Sequence, residues 1–222
     1  MIPDHSGRFS CPPENHKREE KRKVPLYIRN LGKSYRQNPV FQHVSMELKD
    51  DHVYCLTAPS GAGKTTFLRI LMGLELPDEG AIDGLHTCRA APVFQEDRLC
   101  PHLNAAQNIS LVNPVCSGPK LRQELLALLP ADSLDKPVSS FSGGMRRRVS
   151  LLRALLSPGT LLLFDEPFNG LDEQSRQDAI NYVRKRRNGR TLLFTTHHID
   201  EARALNASCF TWDVNKLTWH SL

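Results

Sequence analysis

One stretch constrains this chain more than any other: Ala58-Pro59-Ser60-Gly61-Ala62-Gly63-Lys64-Thr65-Thr66. It follows a short apolar run at Val53–Thr57 and opens a helical pattern over Thr65–Met72, which Gly73 is placed to close. A strand, a glycine-rich turn and a helix in that order form a phosphate cradle. Gly61 and Gly63 carry no Cβ, so backbone N–H groups can curl around a phosphate at the positive end of the helix. Lys64 is placed to reach the β- and γ-phosphates as a point charge, and Thr65 to put its hydroxyl on Mg²⁺. One position departs from the pattern G-x-x-x-x-G-K-[ST], because Ala58 stands where glycine is usual. Its methyl group is compatible with the turn if the residue keeps a negative φ. The alternative is an ordinary strand–turn–helix that contains a lysine, but every other position fits the phosphate loop. The loop implies nucleotide binding and leaves the reaction open.

The rest of the chain fits an α/β domain with a helical insert. With 222 residues and 40% apolar content, the chain can form one well-cored domain. Its longest apolar runs, such as Leu161–Phe164 and Leu192–Phe194, are far shorter than the ~20 residues of a membrane-spanning helix. The N-terminus carries charges where a signal peptide carries an apolar core, so the expected location is cytoplasmic, with membrane contact through a partner. Residues 1–23 combine dense charge with three prolines and read as a disordered tail, followed by a single domain over 24–222 with a helical subdomain at about 96–158. Leu26–Arg29 and Val44–Leu48 alternate like half-buried strands around a polar turn at Arg36–Pro39. Leu121, Leu125 and Leu128, then Met145, Val149, Leu152 and Leu156, keep helical spacing. Thr160–Phe164 and Thr191–Thr195 read as parallel strands buried on both faces. A helix through Ala179, Ile180 and Val183 separates them, and Ala207–Leu222 suggests two strands around a turn at Asp213–Lys216.

Six scattered cysteines without a C-x-x-C pair give neither a zinc site nor a disulfide framework, and they read as reduced thiols that mostly fill the core. The net charge of +5 comes in part from basic clusters at Lys17–Lys23 and Arg184–Arg190, read as a solvated tail and a solvated helix end.

Two further segments bear on chemistry. In Leu161-Leu162-Leu163-Phe164-Asp165-Glu166-Pro167, two acids stand at the C-terminal end of a buried strand, the edge where open α/β sheets bind ligands. Asp165 can hold the Mg²⁺ hydration shell, and Glu166 can polarise an attacking water as general base. In Phe141-Ser142-Gly143-Gly144-Met145-Arg146-Arg147-Arg148-Val149, Ser142 is a natural cap and the paired glycines bare the backbone of a helix start. Three arginines in the first turn would oppose the helix dipole unless an anion or acidic partner lies near.

Together with Phe94-Gln95-Glu96, Gly170-Leu171-Asp172 and Thr196-His197, these segments occur in the order found in ABC transporter ATPases, which the chain resembles from about Val24 to Leu205. The resemblance implies the ABC ATPase fold: a P-loop core with a mostly parallel sheet, an N-terminal antiparallel β subdomain and a helical insert. It implies that Tyr35 stacks on adenine, that Gln95 touches Mg²⁺ and the water and reports to the membrane partner, and that His197 contacts the γ-phosphate. Ser142, Gly143 and Gly144 would contact ATP held by the opposite subunit, and Asp172 would cross the dimer interface. Phe141 in place of leucine and His198 in place of aspartate depart from the family pattern without removing a catalytic group. The implied activity is hydrolysis of Mg²⁺-ATP by a dimer bound to membrane permease subunits, with a short permease helix in a groove near Gln95. A solute-binding protein would be an indirect partner, and no nucleic acid is expected. The segment Val93–Leu99, followed by Pro101-His102-Leu103, is most similar to the ATPases of nitrate, sulfonate and taurine importers. A non-transport ABC ATPase, a small-molecule P-loop kinase and a degenerate ATP-binding subunit are the competing readings.

Overall fold

The computed structural model describes residues 25–36, 38–213 and 216–220. The expected tail over residues 1–23, with its Lys17–Lys23 cluster, lies outside them. Two sheets organise the fold. The first is antiparallel, with strands β1 (Leu26–Tyr35), β2 (Asn38–Leu48) and β4 (Glu79–Asp83) in the order β2-β1-β4. The second contains β3 (Val53–Thr57), β5 (Ala90–Val93), β6 (Leu161–Asp165), β7 (Thr191–Thr195), β8 (Ser208–Asp213) and β9 (Lys216–His220), in the order β5-β6-β7-β3-β8-β9. All its pairings are parallel except β8 with β9. The parallel strands are short and apolar because helices cover both faces: every residue of β6 and β7 is buried.

The order puts β3 between β7 and β8, so the loop after β3 emerges beside those after β6 and β7. Ligands of such sheets bind at this C-terminal edge. Helix α1 (Lys64–Leu71) follows β3 and buries Phe67, Leu68, Ile70 and Leu71 against the core shared with the antiparallel sheet. Between β5 and β6 run α2 (Ala105–Ser110), α3 (Gly118–Leu126) and α4 (Gly143–Leu156). Helices α5 (Glu173–Arg186) and α6 (Ile199–Ala204) follow β6 and β7. Among the described residues, no helix is long and apolar enough to cross a membrane.

Several expectations are adjusted. The first hairpin is longer than its alternating cores: β1 reaches Tyr35 and β2 begins at Asn38, so the turn is tighter than Arg36–Pro39. Register shifts between Ile28 and Ser34 break the alternation that would have marked the full length. Leu128 lies past the end of α3, although it is buried. Arg146, Arg147 and Arg148 are the fourth to sixth residues of α4, beyond its first turn. The Arg184–Arg190 cluster is a solvated helix end only in part, since Arg184 and Lys185 are exposed while several of its guanidinium groups make internal contacts. Arg186 pairs with Glu124, Arg187 reaches Asp51 at 2.6 Å, Arg184 donates to the Ala204 carbonyl, and Arg190 donates to the Leu155 carbonyl at 2.7 Å. Of the described cysteines, all free thiols, only Cys55 and Cys209 are buried; Cys88 and Cys116 are half-buried and Cys100 is exposed.

Candidate active site

The loop after β3 turns on two left-handed glycines, Gly61 at φ 81° and Gly63 at φ 89°. A Cβ on Gly63 would also lie 2.4 Å from Val40 Cγ1, so both backbone and packing require glycine there. Gly63 is the N-cap of α1, and no side chain caps that end, which leaves the first-turn N–H groups facing the loop. Ser60 and Gly61 are exposed at the tip, Ala62 is buried and donates its N–H to the Pro59 carbonyl at 3.3 Å, and Thr66 is half-buried in α1. Lys64 is buried, with its ammonium on the carbonyls of Ala58 at 2.6 Å and Pro59 at 3.1 Å. Burial holds its pKa below the ordinary lysine range, against the pull of Glu166 and Asp165.

Ala58 is not among the residues with positive φ, and its methyl group packs into the core beneath the loop. Glycine's freedom is therefore not needed there. Ala58→Gly should leave ATP affinity and turnover within about twofold and lower stability by about 0.4–1 kcal/mol, read by nucleotide titration and thermal unfolding.

The acids at the end of β6 meet this loop. Asp165 is buried and accepts from the Thr65 hydroxyl at 2.6 Å and from the Thr195 hydroxyl at 2.7 Å. The Thr195 hydroxyl also accepts from the Glu166 backbone N–H at 2.9 Å. Glu166 itself has φ 46°, a left-handed conformation uncommon for a residue with a side chain. Its carboxylate meets His197 Nε2 at 2.8 Å and accepts from Asn169 Nδ2 at 3.1 Å. Sequence reasoning missed Thr195 and Asn169. Thr195 could have been noticed as a hydroxyl at the C-terminal end of a buried strand, the edge where such sheets bind ligands.

Gln95, just past β5, is exposed and shares a cleft with Thr65 and Asp165. Tyr35 ends β1 with its ring half-exposed, its hydroxyl bonded to Glu75 and the Lys33 ammonium 5.6 Å from the ring centre. Ser142 caps α4, accepting from Met145 N–H at 3.2 Å, while Gly143 is exposed and Gly144 lies beside Leu171 and Gly170. These three residues line no part of the cleft that Gln95 shares with Thr65. Asp172 caps α5 by accepting from Ser175 N–H at 2.9 Å, and that bond holds its carboxyl below the usual range. The fold thus gathers Lys64, Thr65, Gln95, Asp165, Glu166 and His197 at one sheet edge, with Ser142–Gly144 and Asp172 on neighbouring helix starts.

The cleft offers the hard oxygen donors that suit Mg²⁺: the Thr65 hydroxyl and Asp165 carboxylate in direct contact, with the Gln95 side chain on the same wall. Mg²⁺ held there with ATP would offset the charge of the phosphates.

Comparison with known proteins agrees with this geometry. The model of the ABC transporter family matches residues 41–169. An aliphatic sulfonates import ATP-binding protein of Pseudomonas savastanoi pv. phaseolicola is 37% identical over 188 residues, which cover 82% of this chain and 77% of that protein. Its namesake in Agrobacterium fabrum is 32% identical, over 86% of this chain and 72% of that protein. A sulfate/thiosulfate import ATP-binding protein of Halalkalibacterium halodurans is 35% identical over 81% of this chain, which spans only 56% of the relative's length. The fold matches a dimeric ATP-binding cassette bound to ADP and phosphate, with a TM-score of 0.75 and 24% identity over 87% of this chain and 98% of that one. From the nucleotide loop to α4, whose start at Ser142–Gly144 is the family's signature loop, sequence and fold agree: the chain belongs to the ABC transporter family, as an ATP-binding subunit that hydrolyses Mg²⁺-ATP.

Proposed function

We propose that this chain powers an ABC importer of a small anion or organic solute, working as a head-to-tail dimer beneath separate permease subunits. The observation that carries the reading is the set of contacts Thr65–Asp165 and Glu166–His197, joined through Thr195 beside the Lys64 loop at one sheet edge, with the signature loop set apart on α4. Lys64 and the loop N–H groups from Ser60 to Thr66 hold the phosphates, Tyr35 takes the adenine, and Thr65, Asp165 and Gln95 hold Mg²⁺. Glu166 accepts the proton of the attacking water, and His197 steadies both Glu166 and the γ-phosphate. Ser142, Gly143 and Gly144 of one chain complete the site of the other, and Asp172 meets its counterpart near that junction. ATP favours the closed dimer, and hydrolysis lets it part.

The groove beside Phe94, lined by Arg89, Pro92, Phe94, Arg98, Val112 and Arg153, suits a short permease helix: its lining is largely apolar with three arginines, and it adjoins the loop that carries Gln95. The importer assignment rests on the sulfonate and sulfate relatives. The uptake of Arg186, Arg187 and Arg190, at and just past the end of α5, into internal contacts argues against a nucleic-acid role.

Mixing two inactive variants tests the composite site. Lys64→Ala removes the P-loop cation and Ser142→Arg blocks the signature loop, so each alone should hydrolyse little ATP. A heterodimer of the two keeps one intact site, and mixing should restore phosphate release. A mixture as inactive as its components would sink the shared-site reading.

A further inference from the structure

One face of α4 grips the loop that carries Gln95. Arg147 donates to the Phe94 carbonyl at 2.6 Å and to the Gln95 carbonyl at 2.5 Å. Ser150 donates to the Asp97 carbonyl at 2.9 Å, and Arg153 to the carbonyls of Asp97 at 3.1 Å and Arg98 at 2.7 Å. Asp97 faces Arg146 and Arg147 at 3.6 and 3.7 Å. Asp97 thus supplies an acidic partner to both arginines. Arg98 takes φ 44° and stacks on Phe94 with 4.0 Å to the ring centre, which folds the loop back on itself. Arg147 is the deepest of these arginines, only 7% exposed. A guanidinium buried this far is retained where its planar fork satisfies two acceptors at once.

The helix that holds the Gln95 loop is also the helix that begins at Ser142 and Gly143. We propose that Arg147 is a positioning residue that fixes the Gln95 loop on α4, so that Gln95 meets the nucleotide of its own chain in one set position. The inference rests on the composite-site reading for its functional half, while the grip of α4 on the loop stands on the contacts alone.

The test uses Arg147→Lys, which keeps the charge but replaces the planar fork, one N–H arm on each carbonyl, with a shorter side chain ending in a single ammonium, and Ser150→Ala, which carries little folding risk. Hydrogen exchange over residues 94–98 should accelerate by about tenfold in Arg147→Lys and by about threefold in Ser150→Ala. Affinity for a fluorescent ATP analogue should stay within about twofold, while kcat falls by about tenfold in Arg147→Lys with little change in KM. In a Glu166→Gln background, ATP should also drive less of the Arg147→Lys protein into dimers. Unchanged exchange over residues 94–98 in both variants overturns the grip on the loop, and faster exchange with kcat and dimerisation intact overturns the claim that this grip sets Gln95 for the reaction. Failure of the Glu166→Gln parent itself to dimerise with ATP is a different result. It sinks the composite-site reading, while exchange still decides whether Arg147 holds the loop.

Discussion

Glu166→Gln should bind ATP as tightly as the unaltered protein and hydrolyse it about 10²- to 10⁴-fold more slowly, the contribution expected of a positioned general base. The amide keeps the shape of the carboxylate and its reach to Asn169, now at 3.1 Å, but it cannot take a proton from water. Its backbone stays where the Thr195 hydroxyl holds it, so the variant isolates the chemistry from the fold. With hydrolysis blocked, the ATP-bound dimer should accumulate and elute at twice the mass on size exclusion, whereas the protein with ADP should elute as a monomer. Turnover near normal would remove Glu166 from the role of base. His197 would then be the next group to test, since its Nε2 lies 2.8 Å from the same carboxylate.

The parts of this site that were legible in the sequence are those where one local pattern carries both structure and chemistry. Leu161–Phe164 is a continuous apolar run, so its burial and the placement of Asp165 and Glu166 at its end follow together. Gly61, Gly63 and Lys64 are legible for the same reason, because left-handed backbone and a phosphate cation are required at neighbouring positions. What stayed hidden depends on distant contacts or on competing signals. Thr195 reads as one more β-branched strand residue, yet its hydroxyl links Asp165 to Glu166. Arg147 meets Phe94 across 53 positions, and no periodicity encodes that pairing. Strand β5 holds only four residues and includes Pro92, which an edge strand tolerates but which weakens the signal. Asp172 shows a different limit, since the side chain expected at a dimer interface is also the cap of α5.

Lys64→Ala should weaken ATP binding by roughly 10- to 150-fold, equivalent to the 1.5–3 kcal/mol typical of hydrogen bonds to charged groups. The loss has two sources that a second variant separates. In the nucleotide-free loop, the Lys64 ammonium rests on the carbonyls of Ala58 and Pro59, so truncation removes a brace of the loop as well as a phosphate contact. Lys64→Met keeps most of the buried stem and removes only the charge, so any affinity that Met restores over Ala measures the packing share. A pH titration identifies the remainder. Burial lowers the pKa of Lys64, and the form that binds phosphate is the ammonium, so affinity should fall as alkaline pH rises through that pKa. The slope should vanish in Lys64→Met, where no proton is left to lose. Unchanged affinity in Lys64→Ala would mean that the loop does not hold the phosphates, and the assignments of Thr65, Asp165 and Gln95 would fall with it.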